Sequence, residues 1–372
     1  MTRVLFIVMS WFFSSFFSHS TWAFPEMVRH NYVNCTACHV SPTGGGVLTQ
    51  YGRELSRALL STWGEDNENE SKFAYGLVRP PSWLDATYLY RGLYAYQDTP
   101  YIQQGLFIYM QGDAEAAAHV GQWTFDLALG YQNPPGASGF SDYLISPRNY
   151  VNYRPTDEFS VRGGRFYPAY GIYTAEHVIP IKRDLGWDQG METYNLEAAW
   201  LGDSLNVYVT ADLGRPDEPS LSSETGFVLT PSLVFGDHYK IGASYFRGQG
   251  PVSDRDVFGP WGILGFTPHF FLLTELDAQH QWNKTSGATQ WGAVNYQRLD
   301  YELITGLHFY LTQDFSNLNF SDPTTLHNSF GAGVQFFPRP HFEINVSWSK
   351  LRDLSVASGY SDFAWAMLNF YL

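Results

Sequence analysis

Apolar and polar residues alternate along most of the chain from Ser82 onward, in segments of about ten residues separated by clusters of Gly, Pro, Asn and Asp. The pattern recurs in residues 193–200, 204–213 and 341–349. In one segment the residues of one face are Trp123, Phe125, Leu127, Leu129 and Tyr131, and those of the other are Thr124, Asp126, Ala128 and Gly130. A period of two is typical of β-strands, so the sequence predicts an all-β fold.

This alternation fits either an outer-membrane β-barrel or a β-sandwich, because sequence parity does not say which face points outward. Near-uniform strand lengths and Trp and Tyr at the strand ends favour the barrel. The last residues, from Ala364 to Leu372, alternate to the terminus like the C-terminal signal of bacterial outer-membrane proteins, although that signal usually ends in Phe. We therefore expect a transmembrane barrel of about 14 strands, with 12 or 16 as alternatives.

Composition supports a barrel and argues against a helical membrane protein. The chain has 372 residues, of which 17% are aromatic and 16% charged, and its mean hydropathy is -0.23. Residues 1–23 are predicted to be an export signal, with Arg3, an apolar run over 4–17, and a small-residue cleavage site at 21–23. We expect a bacterial outer-membrane location, with membrane lipid around the barrel.

Charge and local composition divide the chain further. The formal net charge of -14 argues against a nucleic-acid partner. The region from residue 64 to residue 81 begins with an acidic stretch that lacks apolar side chains, which is typical of a solvated linker. We predict four regions: a signal (1–23), a compact segment (24–63, called here the N-terminal segment), the linker (64–81) and the barrel (82–372).

Both cysteines of the chain lie in one motif, Cys35-Thr36-Ala37-Cys38-His39. This is the C-x-x-C-H pattern of c-type haem attachment, in which two thiols bond to the haem vinyl groups and the adjacent His binds iron as the proximal ligand. A zinc site would need further ligands, and a thioredoxin-like site would need a βαβ pattern. The sequence therefore predicts one covalent haem c.

Two features flank the motif. Val47, Tyr51, Leu55 and Leu59 recur at helical spacing, which predicts a short amphipathic helix covering one haem face. Three consecutive glycines, residues 44–46, either allow the backbone to approach the porphyrin closely or form a flexible turn.

The order of export signal, single haem motif, linker and barrel resembles bacterial porin-cytochromes, which are outer-membrane barrels associated with or fused to c-type haem. The specific part of the resemblance is residues 24–63. It implies redox traffic between the periplasm and the exterior. Because one haem cannot carry electrons across an apolar band of about 25 Å, we expect periplasmic or extracellular cytochromes as partners. We expect the haem on the periplasmic side or in the lumen.

A Gly- and Pro-containing passage over residues 162–183 predicts a strand followed by a loop that folds into the lumen. Its basic residues, Arg162, Arg165, Lys182 and Arg183, are candidates for contacts with the haem propionates or for an ordinary constriction-loop lining. The motif leaves the distal iron ligand open. The candidates are His177 in this loop, then His30 and Met27 near the motif.

These observations predict a monohaem electron-transfer protein that exchanges electrons between periplasmic donors and an external acceptor. The alternative is a solute porin whose haem segment acts as a plug or redox sensor. A haem enzyme such as a peroxidase is a third hypothesis, which requires an open distal position. No residue pair indicates hydrolytic or group-transfer chemistry, so the chain has no assigned catalytic residue.

Overall fold

The computed structural model describes residues 25–64, 73–101, 103–131, 144–174, 176, 179–187, 190–217, 224–236, 238–355 and 359–372. The predicted signal and most of the acidic stretch of the linker lie outside these residues. No helix in the described part of the chain has the length and apolar character needed to cross a membrane.

The architecture is one antiparallel sheet with two short α-helices, α1 (Gln50–Leu55) and α2 (Pro180–Arg183). The strands are β1 (Leu84–Asp98), β2 (Gln103–Val120), β3 (Trp123–Tyr131), β4 (Leu144–Ile145), β5 (Asn149–Tyr153), β6 (Phe159–Phe166), β7 (Thr193–Leu201), β8 (Leu205–Asp212), β9 (Thr225–Phe235), β10 (Tyr239–Gln249), β11 (Ser253–Thr267), β12 (Phe270–Asn283), β13 (Thr289–Ile304), β14 (Leu307–Asn317), β15 (Leu326–Arg339), β16 (Phe342–Asp353) and β17 (Ser361–Tyr371).

The sheet closes on itself, because β17 pairs with β1 over Leu89–Asp98 and each strand pairs with its sequence neighbours. The two-residue β4 and the following β5 both pair with β3, so together they fill one place in the wall. The barrel therefore has sixteen strands. The expected number of 14 was wrong, and 16 was one of the two alternatives. The sequence signal of a single barrel strand is weak, so short strands are difficult to count from the alternating pattern.

The apolar face of the strands points outward, which decides between barrel and sandwich. On β3, Phe125, Leu127 and Leu129 are exposed, whereas Asp126 and Ala128 between them are buried in the lumen. On β8 and β16 the polar residues are again the buried ones. A sandwich would bury the apolar face instead, so the membrane barrel is confirmed and the outward face contacts lipid.

The two ends of the barrel differ in the length of their connections. At one end the strands are joined by two to five residues, as at 121–122, 202–204, 268–269 and 305–306. At the other end most connections are longer, and they include 167–192 and 213–224. Bacterial barrels have short periplasmic turns and longer extracellular loops, so we refer to the periplasmic and extracellular ends accordingly.

The connection between β6 and β7 folds back into the lumen, as the sequence predicted. Tyr170 donates a hydrogen bond to Asp277 of β12 (2.7 Å), and the backbone N–H of Ile172 donates to Glu275 (2.6 Å). Tyr170 and Trp187 stack with ring centroids 4.2 Å apart. This loop narrows the lumen, because it fills one side with a buried apolar cluster.

Candidate functional site

The N-terminal segment is built from short turns and one helix. Two 3₁₀ turns, Pro25–His30 and Cys35–Ala37, precede α1, and the chain then continues as a wider helical turn over Ser56–Leu60. Thr49 caps α1, since its hydroxyl accepts from the Gly52 N–H at 3.1 Å. The predicted helix is confirmed in this shortened form, with Leu55 buried but Tyr51 exposed.

The haem motif forms a single compact turn. The backbone N–H groups of Cys38 and His39 both donate to the carbonyl of Cys35, the latter at 3.0 Å. Thr49 N–H donates to the Cys38 carbonyl at 2.8 Å, which ties the start of α1 to the motif. Cys35 and Cys38 are not joined to each other by a disulfide. The turn therefore places two thiols and one imidazole next to each other on a backbone held by hydrogen bonds.

Cys38 lies in a small apolar cluster of the N-terminal segment. Met27, Leu55 and Leu60 are buried around it. His39 and Met27 border a narrow void in this cluster. Such a cluster gives the motif a local apolar environment, which is one of the factors that tune a haem potential.

Cys35 faces the barrel wall on the opposite side of the turn. Burial raises the pKa of its thiol, and the positive charges of Lys240 and Arg162 partly oppose this shift. A raised pKa keeps the sulfur protonated at neutral pH, and the thiolate is the reactive form. This environment argues against a thiol redox centre and is compatible with a sulfur that is consumed by thioether formation.

A cavity of about 780 Å³ occupies the lumen above the N-terminal segment. His39, Gly45, Gly46 and Leu48 border it together with Pro25 and Glu26 at the start of the N-terminal segment, and the rest of its lining comes from the barrel wall and the lumenal loop. Cofactor and small-molecule sites typically measure about 300–1,000 Å³. His39 therefore borders a space of the size that a cofactor needs.

Arg162 on β6 anchors the loop that follows the motif. Its guanidinium donates to Glu197 at 2.7 Å, to Ser41 at 3.0 Å and to Thr43 at 3.0 Å. The Arg162 and Glu197 side chains are almost fully buried, at 1% and 0% exposure. Tyr208 adds a hydrogen bond to the Pro42 carbonyl at 2.9 Å. This ion pair between neighbouring strands thus holds residues 41–43 against the lumen wall.

The opposite side of the N-terminal segment is tied to the later strands at the periplasmic end. Arg29 forms a buried ion pair with Glu302 of β13 at 2.8 Å. The Ser56 hydroxyl and the Tyr371 phenol are 3.2 Å apart, and the Thr62 N–H donates to the Phe337 carbonyl at 2.9 Å. These contacts place the N-terminal segment inside the barrel at its short-turn end.

The glycines after the motif allow a close approach, but to protein side chains. Gly46 has a φ of 65°, and a Cβ there would lie 2.5 Å from Glu115 Oε1. Gly45 has a φ of 73°, and its Cβ would lie 2.9 Å from the Tyr173 hydroxyl. The sequence suggested either a close approach to the porphyrin or a flexible turn. Neither interpretation includes this contact with the barrel wall and the lumenal loop.

The structure separates the predicted basic residues. Arg162 anchors the N-terminal segment, as described above. Arg165 points to Asp217 at 3.2 Å, and Lys182 donates to the Tyr170 carbonyl at 3.1 Å. Arg183 borders the lumenal cavity and pairs with Asp184 at 2.6 Å. Contacts of Arg162, Arg165 and Arg183 with haem propionates remain a prediction.

The candidates for the distal ligand are also separated. His177 lies outside the described residues. His30 accepts a hydrogen bond from Arg29 Nε at 3.0 Å, and burial together with the neighbouring positive charge of Arg29 lowers the pKa of its imidazole to about 4. Met27, in contrast, borders the same void as Cys38 and His39. Among the described candidates, Met27 is therefore the one that the fold brings to the motif.

Several residues of the site carry no signal in the sequence. Glu115 accepts from Arg148 at 2.9 Å and meets Gly46, and Lys240 donates to the Val33 carbonyl at 2.8 Å. Lys240 lies 207 positions from its partner. Each has the ordinary appearance of an inward-facing strand residue, so local pattern could not assign it to the site.

We tested whether these residues fit a covalent haem. The two cysteine thiols lie on one turn, their neighbour His39 borders a large cavity, and apolar side chains surround Cys38. This donor set matches the requirements of c-type attachment. The residues present therefore fit the group, and Cys35, Cys38 and His39 are the residues that would hold it.

The barrel is similar to solved outer-membrane proteins. An anion-selective porin from Comamonas acidovorans has a TM-score of 0.61 at 11% identity, over 78% of this chain and 99% of the porin. OmpT of Vibrio cholerae gives 0.60 at 8% identity, over 79% and 100% of the two chains. The outer membrane channel DcaP of Acinetobacter baumannii gives 0.55 at 10%, over 79% and 99%. At these identities the likeness concerns the fold.

No protein-family model matches this sequence, and a comparison with curated proteins finds no match. The class is defined by the fold: the chain forms a closed sixteen-strand β-barrel that resembles those of outer-membrane porins, with its N-terminal segment packed inside the short-turn end.

Proposed function

We propose that this protein is a monohaem porin-cytochrome that transfers electrons between a periplasmic donor and an external acceptor or partner cytochrome. The observation that carries the proposal is the C-x-x-C-H turn, which is held inside the lumen where His39 borders a large cavity. A bound haem would supply one-electron redox chemistry.

The chain's own residues have three tasks in this mechanism. Cys35 and Cys38 hold the cofactor covalently, and His39 offers a neutral imidazole to the iron. The apolar side chains of Met27, Leu55 and Leu60 exclude water from one side of the motif. Burial of this kind influences a reduction potential because it disfavours extra charge.

The position of the N-terminal segment suits electron entry from the periplasm. The segment is fixed at the short-turn end by buried ion pairs at Arg29 and Arg162. The apolar band of such barrels is about 25 Å tall, so one site at this end does not reach the outside. We therefore expect a second redox partner, and the resemblance to porin-cytochromes points to periplasmic or extracellular cytochromes.

A solute porin is the second candidate function. It is supported by the likeness of the barrel to porins and channels and by the lumenal cavity. In this case the N-terminal segment would act as a plug or redox sensor. A large, steady single-channel conductance in reconstituted bilayers would favour this candidate over the electron-transfer protein.

A pyridine haemochrome spectrum of the purified, denatured protein tests the leading proposal. We expect haem to stay with the wild-type chain and to be lost from Cys35→Ala/Cys38→Ala. Ala37→Ser, which changes the same turn but keeps every haem-binding residue, is the matched control and should retain haem. A wild-type chain without covalent haem would overturn the electron-transfer proposal and leave the porin.

A further inference from the structure

Lys240 is a buried ammonium group at the periplasmic end of the barrel wall. It is the second residue of β10 and is 8% exposed. Its Nζ donates to the carbonyl of Val33 at 2.8 Å, so it lies against the chain two residues before Cys35. Burial raises the pKa of the Cys35 thiol, and the charge of Lys240 opposes this shift more than that of Arg162 does. Lys240 is therefore the cation that acts most strongly on this cysteine.

Lys240 differs from the two buried arginines that anchor the N-terminal segment, because no carboxylate accompanies it. Arg29 pairs with Glu302 at 2.8 Å, and the guanidinium on β6 has its own carboxylate partner at 2.7 Å. No carboxylate in the described part of the chain forms an ion pair with Lys240, and Cys35 is the only described group whose charge acts on it. Burial of a charge without an opposite charge is costly. The ammonium therefore calls for a partner that the described chain does not supply.

The neighbouring strands do not supply the missing negative charge either. Asn34, the residue before Cys35, donates to the carbonyl of Leu201 at 3.4 Å, and the residue opposite Leu201 on β8 is Asn206. Asn206 is fully buried, and both polar atoms of its amide lack a hydrogen-bond partner among the described residues. The buried ion pair between β6 and β7 is neutral as a whole. The described wall beside the motif thus carries one net positive charge, in a chain whose formal charge is -14.

We propose that Lys240 raises the reduction potential of a haem bound at Cys35 and Cys38, because it places a buried positive charge beside the attachment point. This inference rests on the proposed function. The cofactor would be bonded to the Cys35 sulfur, so a charge that acts on this sulfur also acts on the edge of the bound ring. In the one-electron step the donor is oxidised and iron is reduced from ferric to ferrous. The site gains one negative charge while no bond forms or breaks, and a nearby cation stabilises that reduced state.

Redox titration of the folded full chain in detergent, followed by the haem absorption bands, measures this effect. We expect Lys240→Met to lower the midpoint potential by about 59 mV, which is a tenfold change in the equilibrium constant of a one-electron couple. Lys240→Arg keeps the charge and should have a potential close to that of the wild type. An unchanged potential in Lys240→Met, or a fall of equal size in Lys240→Arg, would overturn the proposal.

Lys182→Met is the matched control. Lys182 is also 8% exposed, and it also donates to a backbone carbonyl, that of Tyr170, at 3.1 Å. Its charge interacts with the carboxylates of Glu275 and Asp277 on β12 and not with the motif. The control should therefore keep the wild-type potential. An equal shift in both methionine variants would show a general effect of losing a buried lysine and would contradict the assignment to Lys240.

Lys240→Gln covers the case in which Lys240→Met does not fold, which heat-modifiable gel migration reveals. The glutamine amide still offers a donor for the Val33 carbonyl but has no charge, so the potential should fall as in the methionine variant; an unchanged potential would leave Lys240 a structural role alone. A pyridine haemochrome assay on each sample separates the two proposals. A wild-type chain without covalent haem would overturn both, whereas retained haem with an unchanged potential in the uncharged Lys240 variants would overturn this one alone.

Discussion

The buried ion pair between Arg162 and Glu197 should decide whether the N-terminal segment stays attached to the lumen wall. Arg162→Met keeps an unbranched side chain of similar length but removes the charge. It leaves Glu197 with Thr210 as its remaining partner, at 2.9 Å, and removes both hydrogen bonds to Ser41 and Thr43. The perturbation therefore acts directly on the loop that follows the haem motif.

The magnitude follows from burial. Arg162 and Glu197 are 1% and 0% exposed, so solvent does not screen the isolated carboxylate. Removing one partner of a buried ion pair costs about 3–5 kcal/mol, because it leaves an uncompensated buried charge. If this loss appears as local opening of the segment, the open fraction rises about 10²–10⁴-fold. In the double variant Arg162→Met/Glu197→Gln, part of the loss should be recovered.

Amide hydrogen exchange of the full chain measures this opening. The amides of Val40 and Thr49 are suitable probes, since they donate to the carbonyls of Val47 and Cys38. Arg165→Met is the matched control, because Arg165 lies on the same strand but pairs with Asp217 in a loop. Equal exchange in Arg162→Met and Arg165→Met would refute the argument that the ion pair holds the segment.

Two further predictions concern the same segment. Gly46→Ala should destabilise the protein by about 1–3 kcal/mol more than Gly287→Ala in thermal unfolding. Both glycines have a positive φ, but only a Cβ at residue 46 would meet a neighbour, Glu115. Equal losses of stability in the two variants would exclude a close contact at residue 46. Packing lowers the pKa of His30 to about 4 from an ordinary value of 6.5, so protonation favours the undocked segment. Docking should be at full strength above pH 6.5 and weaken as the pH falls toward 4. Exchange of the Tyr32 amide, which donates to the Met27 carbonyl, can follow this change; a pH slope that persists in His30→Gln would contradict the assignment.

The sequence by itself determined the class of the fold. Alternation with period two in segments such as 123–131 is a local property of the backbone, and it predicted strands that the structure contains. The prediction of a haem site was equally local, because it rests on the C-x-x-C-H pattern of residues 35–39 alone. The inward loop after β6 was also readable, since Gly and Pro interrupt the alternating pattern there.

The tertiary structure decided which face of each strand meets lipid, how many strands close the barrel, and where the N-terminal segment lies. Arg29 and Glu302 are 273 positions apart, and Trp365 joins Ala95 and Leu106 only because β17 closes against β1. Such contacts depend on register and closure around the whole barrel. Local alternation is the same for an inward and an outward face, so these features became defined only when the sheet closed.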